Sequence, residues 1–179
     1  MSTKLVLLGL LKEKPLYGYE LKHIIEEHMG DWTNIAFGSI YFALGKLNKD
    51  GFVEKISEEK VGNRPSRSIY KITEKGKNEF ISLLKELWQK FDREYYPLDI
   101  AIAFSKVLSI DEIKEYIKDR IIKLENNLKY LHKHKKEQLN RKEVPKSAKA
   151  VFSHSEYHMK AELNWLRNFL KDLENGDIF

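Results

Sequence analysis

The sequence predicts a mainly α-helical protein in two parts, with one β-hairpin inside the first part. Three observations lead there. Apolar residues recur at spacings of three and four through most of the 179 residues, the period of a helix with one buried face. Two short stretches, 52–58 and 68–72, alternate instead and carry Phe, Val, Ile and Tyr, as strands do. Beyond Pro97 the helical spacing resumes and holds to the end.

Taken in order, Ser2 to Leu11 reads as a short helix that is apolar nearly all round and therefore buried. Its run Leu5–Leu11 follows a single Lys, has no A-x-A-like cleavage site and is too short to span a bilayer, so it is expected to be core and not a leader or anchor. Lys12 to Leu16, with Pro15, reads as a turn. Tyr17 to Met29 is amphipathic, with Leu21, Ile24, Ile25 and Met29 on one stripe, and stops at Gly30. After a loop with Trp32, a third helix spans Ile35 to Asp50 on Ile40, Leu44 and Leu47. It ends at Gly51, a residue suited to the left-handed position after a helix. In the first alternating stretch Val53 and Ile56 break phase by one residue. Thr73 has the character of an N-cap and opens a helix through Phe80, Leu83, Leu84 and Leu87 towards Phe91. Helix, helix, helix, hairpin, helix is the outline of a winged helix-turn-helix with a fourth helix appended.

Pro97 breaks the pattern, and the domain boundary is expected within residues 92–97, giving a winged helix domain 1–92 and a helical domain 93–179. Leu98 to Phe104 is a short apolar helix. Ser109 and Glu112 form the S-x-x-E capping box of a long helix whose Ile117, Ile121, Leu124, Leu128 and Leu131 are spaced 4, 3, 4, 3. A linker around Val144–Pro145 precedes a last helix, where Met159, Leu163, Leu166, Leu170 and Leu173 repeat that spacing. The two seams suit an antiparallel hairpin. Trp165, Phe169, Tyr130 and Ile122 flank them, so the apolar surface is wider than one partner helix needs. The sequence therefore predicts a homodimer joined through Leu124, Leu128, Leu131, Leu163, Leu166 and Leu170.

Composition narrows the chemistry. With no cysteine, disulfides, thiolate nucleophiles and Cys-ligated metals are excluded, which fits a cytoplasmic protein. The six histidines are His23, His28, His132, His134, His154 and His158. Only His154 and His158 share a helix face, in H-S-E-Y-H, and no third ligand accompanies them, so no metal site is expected. No G-x-S-x-G, Walker loop or G-x-G-x-x-G occurs, and the adjacent acid pairs Glu26–Glu27 and Glu58–Glu59 do not face each other across a cleft. The expectation is a protein that is not an enzyme and needs no cofactor.

The charge points elsewhere. The formal net charge is +5, and the 18 residues 60–77 alone hold six basic side chains against one acid. Residues 106–146 hold twelve basic and seven acidic side chains, spread along a helical pattern as a solvated face would be. The concentrated excess sits on the hairpin tip, where Gly62 and Asn63 supply turn conformations, Pro65 stiffens the loop, and Arg64 and Arg67 project guanidinium groups. A narrow minor groove concentrates negative potential, and a weakly hydrated, permanent Arg charge suits it.

Three strings, Leu7–Ile25 (LLGLLKEKPLYGYELKHII), Phe37–Glu54 (FGSIYFALGKLNKDGFVE) and Gly62–Lys77 (GNRPSRSIYKITEKGK), resemble the PadR family of bacterial transcriptional regulators. The resemblance rests on Pro15, Gly18, Tyr19, Glu20, Leu21, Gly38, Ser39, Ile40, Tyr41, Leu44, Leu47, Gly51, Val53, Tyr70, Ile72, Thr73 and Gly76, over about the first 80 residues. The helical second half resembles the C-terminal dimerisation domain of the larger branch of that family in architecture only. The chain departs from the pattern at Phe42, often Pro in the family, at Gly45, and at Ser68, where many relatives carry Lys. Glycine inside a helix costs about 1 kcal/mol relative to Ala, so Gly45 either loosens the helix or admits a DNA backbone or partner helix.

The third helix is expected to enter a major groove by its first turns, presenting Phe37, Ser39, Tyr41 and Phe42, with Tyr41 turned outward. Lys46 and Lys49 are expected to contact phosphates, which set register. Asn63, Arg64, Ser66 and Arg67 form the wing contact. The resemblance implies that a tyrosine or amide at the start of the second helix touches the DNA backbone, and Tyr17 is expected to be the exposed one of Tyr17 and Tyr19. It also implies a small aromatic effector near the domain junction or dimer interface, for which Trp88, Phe91, Tyr95, Tyr96, Trp165 and Phe169 are the candidates. The expected partner is double-stranded DNA with a pseudo-palindromic operator, bound by a homodimeric repressor, with no membrane contact. The rival reading is a winged helix used for protein–protein contact, which usually lacks a cationic wing.

Overall fold

The computed structural model describes residues 3–30, 33–59, 67–141 and 144–178. In order the elements are α1 (Thr3–Glu13), β1 (Leu16–Tyr17), α2 (Gly18–His28), α3 (Phe37–Lys49), β2 (Val53–Glu59), β3 (Arg67–Ile72), α4 (Glu74–Gln89), α5 (Pro97–Ala103), a 3-10 turn (Ser105–Val107), α6 (Ile110–Leu139) and α7 (Ala148–Asn175). They divide into two compact units, Met1–Asp92 and Arg93–Phe179.

In the first unit Leu7, Leu8 and Leu11 of α1 are buried among Leu21 and Ile25 of α2, Ile40, Leu44 and Leu47 of α3, and Val53 and Ile72 of the sheet. Helix α1 packs on α3, α4 and β3, which is why its sequence carries apolar residues on nearly every side. The sheet is antiparallel with order β1-β3-β2. Pairing runs Val53–Ile72 and Lys55–Tyr70, then shifts to Ser57–Ile69. Ile56 is thus the extra residue of a β-bulge, and its exposed side chain accounts for the one-residue slip in the sequence alternation. Strand β1 corrects the expected turn at Lys12–Leu16: α1 continues to Glu13, and Leu16 and Tyr17 pair with Tyr70 and Ile69. Two residues are too few to show a period, and only the edge of β3 makes them a strand.

The junction of α3, β2 and α4 is tied at Thr73. Gly51 follows α3 at φ 74°, the left-handed conformation that glycine adopts without a Cβ penalty. The Thr73 hydroxyl lies 2.8 Å from the Gly51 carbonyl and 3.1 Å from that of Phe52, and accepts the Gly76 N–H at 3.1 Å. The Thr73 N–H donates to the Phe52 carbonyl at 3.1 Å. The Lys4 and Lys75 ammonium groups stand over the Phe52 ring at 3.9 and 4.7 Å. Helix α4 stops at Gln89, short of the expected Phe91, which is almost fully exposed.

The second unit is built on α6 and α7, whose cross-pairs Glu125–Arg167 and Lys135–Glu156 run in opposite directions along the chain, as an antiparallel hairpin requires. Ser109 caps α6 with Glu112, and Gly176 ends α7 at φ 75°. Ile113, Ile117, Leu166, Phe169 and Leu173 form the core, with Leu98 and Ile102 of α5 and with Ile121, Leu124, Leu170 and Ile178 packed on it. Three of the six leucines expected at the dimer seam are used within the chain. Leu131, Leu163 and Leu166 are buried within the single chain, and Leu124, Leu128 and Leu170 are half-buried. Two stripes of the same period on antiparallel helices satisfy each other first. Among the described residues of α6 and α7, the large apolar side chains left exposed are Ile110, Tyr116, Ile122, Tyr130, Leu139, Tyr157 and Trp165.

One acid on this hairpin makes a testable contribution. Glu156 of α7 accepts from Lys135 at 2.9 Å, Lys160 at 2.6 Å and His132 at 3.2 Å. The bonds from Lys135 and then Lys160, against a smaller opposing effect of burial, hold its carboxyl at about 2, below the usual 4.5. A carboxyl depressed on folding stabilises above its unfolded value and loses that contribution as pH falls through its folded one. Thermal denaturation of the wild type should therefore show the second unit losing stability from about pH 4.5 towards pH 2. Glu156→Gln should be less stable at pH 7 and lose less over that window; an identical acid limb in the variant would remove Glu156 as its source.

Candidate nucleic-acid interface

The sequence of α3 divides its faces by period alone. Ile40, Leu44 and Leu47 point into the core, and Tyr41, Phe42, Gly45, Lys46 and Lys49 are exposed. The exposed set, with Asp50, lines a shallow concavity of about 550 Å³. Among the described residues neither Lys46 nor Lys49 forms an ion pair. The helix opens without a capping side chain from Ala36; its carbonyl instead accepts the Ser39 hydroxyl at 2.6 Å and the Ser39 N–H at 3.0 Å. The single hydroxyl proton of Ser39 is thereby engaged, leaving its oxygen as an acceptor.

Tyr41 is exposed as expected, but its ring is seated. A Cβ built on Gly18 would lie 2.8 Å from its Cε1, so the ring lies across the first turn of α2 because residue 18 has no side chain. Sequence reading took Gly18 only as part of a motif and missed this contact. At the same turn the Tyr17 N–H donates to the Glu20 carboxylate at 2.8 Å, which places an acid where a helix N-terminus would otherwise attract an anion. The Tyr17 and Tyr19 rings stack at 5.3 Å between centroids. Of the two, Tyr19 is the exposed one and Tyr17 is half-buried, which reverses the expectation. Tyr17 belongs to β1 and pairs with Ile69, so its backbone is committed to the sheet.

Asn63, Arg64 and Ser66 lie outside the described residues, as does the Trp32 loop position. Arg67 opens β3, where its backbone pairs with Glu59. The aromatic candidates separate. Trp165 and Phe169 stack at 5.0 Å, but Phe169 is only 6% exposed and belongs to the core of the second unit. The helix turn that exposes Trp165 points Phe169 inward. Trp88 and Phe91 in the first unit, and Tyr95 and Tyr96 in the second, are exposed, and the Tyr96 hydroxyl donates to Glu94 at 3.1 Å.

A second concavity, of about 390 Å³, lies between Leu128, Lys129 and His132 of α6 and Lys160, Leu163 and Arg167 of α7. None of the six aromatic residues lines either concavity. No group of three or more His, Cys, Asp or Glu side chains suited to a metal ion occurs among the described residues. His154 and His158 share a face of α7, with their Nε2 atoms 3.2 Å apart. No described helix is long and apolar enough to cross a membrane.

Residues 7–82 match the transcriptional regulator PadR-like family. The negative transcriptional regulator PadR of Bacillus subtilis (strain 168) is 30% identical over 76 residues, which are 42% of this chain and 41% of that protein. The matched stretch thus spans less than half of the relative's length. Among solved structures, Bacillus subtilis PadR in complex with operator DNA superposes with a TM-score of 0.79 at 23% identity, covering 95% of this chain and 98% of that one. The same protein in complex with p-coumaric acid gives 0.77 at 21% identity, covering 96% and 98%. The smu.1604c protein of Streptococcus mutans UA159 gives 0.74 at 26% identity, covering 96% and 99%. At such identities the first two likenesses establish the shared fold, a winged helix followed by a helical region. The matched family is one of transcriptional regulators. Over residues 7–82, this chain is similar to the PadR-like family of transcriptional regulators.

Proposed function

We propose that this protein is a homodimeric, sequence-specific DNA-binding repressor that works in the cytoplasm on a pseudo-palindromic operator. The observation that carries the reading is the outward face of α3, where Tyr41, Phe42, Lys46 and Lys49 stand opposite the buried Ile40, Leu44 and Leu47. A helix so divided has one face for the core and one for a groove. In this reading the first turns of α3 enter the major groove, with Ser39 at its rim. Asn63, Arg64, Ser66 and Arg67 reach the adjacent minor groove, and Tyr19, with Tyr17 beside it, approaches the backbone. Residues 1–92 form the DNA-binding domain and 93–179 the dimerisation domain. The two α3 helices of a dimer would read half-sites about 34–36 Å apart, or a multiple of that.

Repression is the favoured sign because the Bacillus subtilis relative is named a negative regulator. Relief by a small aromatic molecule is proposed because that relative also binds p-coumaric acid. Exposed Trp88, Phe91, Tyr95, Tyr96 and Trp165 are the side chains to test for it.

The deciding experiment is a mobility shift of the purified protein on the DNA immediately upstream of its own gene, with random DNA as competitor and p-coumaric acid as probe. A discrete, competitor-resistant band containing two chains is expected. If neither this DNA nor an unbiased operator selection yields a preferred sequence, the protein–protein reading replaces this one. A band indifferent to p-coumaric acid and to a panel of related aromatic acids removes the effector alone.

A further inference from the structure

Phe42 is 78% exposed on α3, an unusual position for a phenyl ring in a helix whose aliphatic Ile40, Leu44 and Leu47 are buried. Its neighbours on the same helix face are Gly38 and Gly45, at i−4 and i+3, and Ser39 and Lys46, at i−3 and i+4. A Cβ built on either glycine meets nothing within 4 Å. The ring therefore has bare helix backbone beside it at two of these four positions, and shares the concave face with Lys46 and Lys49.

The chemistry of the helix limits what such a ring can read. Of the side chains that bond bidentately to guanine or adenine edges, residues 37–46 contain no Arg, Asn or Gln and a single Lys, Lys46. Ser39 has its proton engaged by Ala36. The thymine C5-methyl is the apolar group on the major-groove floor, and Phe is among the side chains that contact it. The two glycines let that floor approach the helix on both sides of the ring. The lysines supply charge complementary to the flanking phosphates.

We propose that Phe42 is a specificity-determining residue that selects thymine by its methyl group, with Gly38 and Gly45 providing the clearance. This rests on the DNA-binding reading above and sharpens it. Each half-site contains one or two thymines under Phe42 whose identity matters through the methyl and not through hydrogen bonding.

The test replaces operator thymines one at a time by deoxyuridine, which removes the methyl and leaves every hydrogen-bonding group. Wild-type binding should weaken about fourfold at the contacted thymine, the effect of losing one buried methyl, and should not change elsewhere. Phe42→Ala should bind the thymine and deoxyuridine operators equally, while Phe42→Leu should retain part of the discrimination. Because Phe42 is exposed, these variants are expected to fold, and circular dichroism checks this. The proposal is overturned if no deoxyuridine position weakens the wild type, or if the loss persists in full in Phe42→Ala. Either result leaves the DNA-binding function standing. Failure to bind any selected sequence would instead overturn the function itself.

Discussion

Gly76→Ala is expected to destabilise the N-terminal unit by about 3 kcal/mol or more, at the upper end of what overpacking produces. Gly76 occupies the third position of α4. A Cβ there would collide with the Phe52 carbonyl oxygen and lie 2.8 Å from Cγ1 of Ile72. The obstacle is backbone that cannot swing aside, because the same carbonyl accepts the Thr73 N–H at 3.1 Å and faces the Thr73 hydroxyl at 3.1 Å. Relieving the clash would lift α4 off the base of the hairpin and break the Thr73 cap, itself worth about 1 kcal/mol. Gly45→Ala is the control. With open space around its Cβ position, the helix should gain up to about 1 kcal/mol. Urea denaturation compares the two, and a Gly76→Ala protein within about 1 kcal/mol of wild type would show that the junction yields.

For DNA binding, Lys46→Ala with Lys49→Ala removes four lysines from the proposed dimer and is expected to lower operator affinity about thirtyfold per protomer, on the order of a thousandfold for the dimer, at 0.15 M salt. It should also reduce the magnitude of the log–log salt slope by about 2 per protomer. Each phosphate neutralised contributes about 0.9 to the slope, which at that salt corresponds to about fivefold in affinity. Both lysines are exposed and stand clear of the core residues of α3, so the loss should not come through stability. Since phosphate contacts position without reading bases, affinity for random DNA should fall by a similar factor. A double variant that keeps the wild-type slope would place this face of α3 away from the phosphates. A loss confined to the operator would make the lysines base readers instead.

These two results depend on the sequence to different degrees. Lys46 and Lys49 were legible because the spacing of Ile40, Leu44 and Leu47 assigns the core face, and whatever lies opposite must be exposed. By the same logic Thr73, Ser109 and Gly51 announced helix ends, since a cap is a relation among residues three or four apart. The two-part division, the hairpin and the long helices also lie within reach of such local periods. Even the bulge at Ile56 left a trace, as one missed beat in the alternation.

Gly76 is the opposite case. Read locally, a glycine inside a helix is a flaw whose replacement by Ala should stabilise; the structure reverses the sign, because the obstacle comes from residue 52, on another element. The seat of Tyr41 on Gly18, the exchange of exposure between Tyr17 and Tyr19, and the short strand β1 depend in the same way on distant neighbours. So does the inward turn of Phe169 beside the exposed Trp165. The leucine seams were plain in the sequence, yet whether they meet each other or a second chain is a question of where the chain turns back, which no period encodes. Sequence by itself determined the elements, their faces and their ends, because those are set by residues within one helical turn. Tertiary structure decided which glycines are obligatory, which aromatics are exposed and which leucines are already satisfied, because those are set by contacts between segments far apart in the chain.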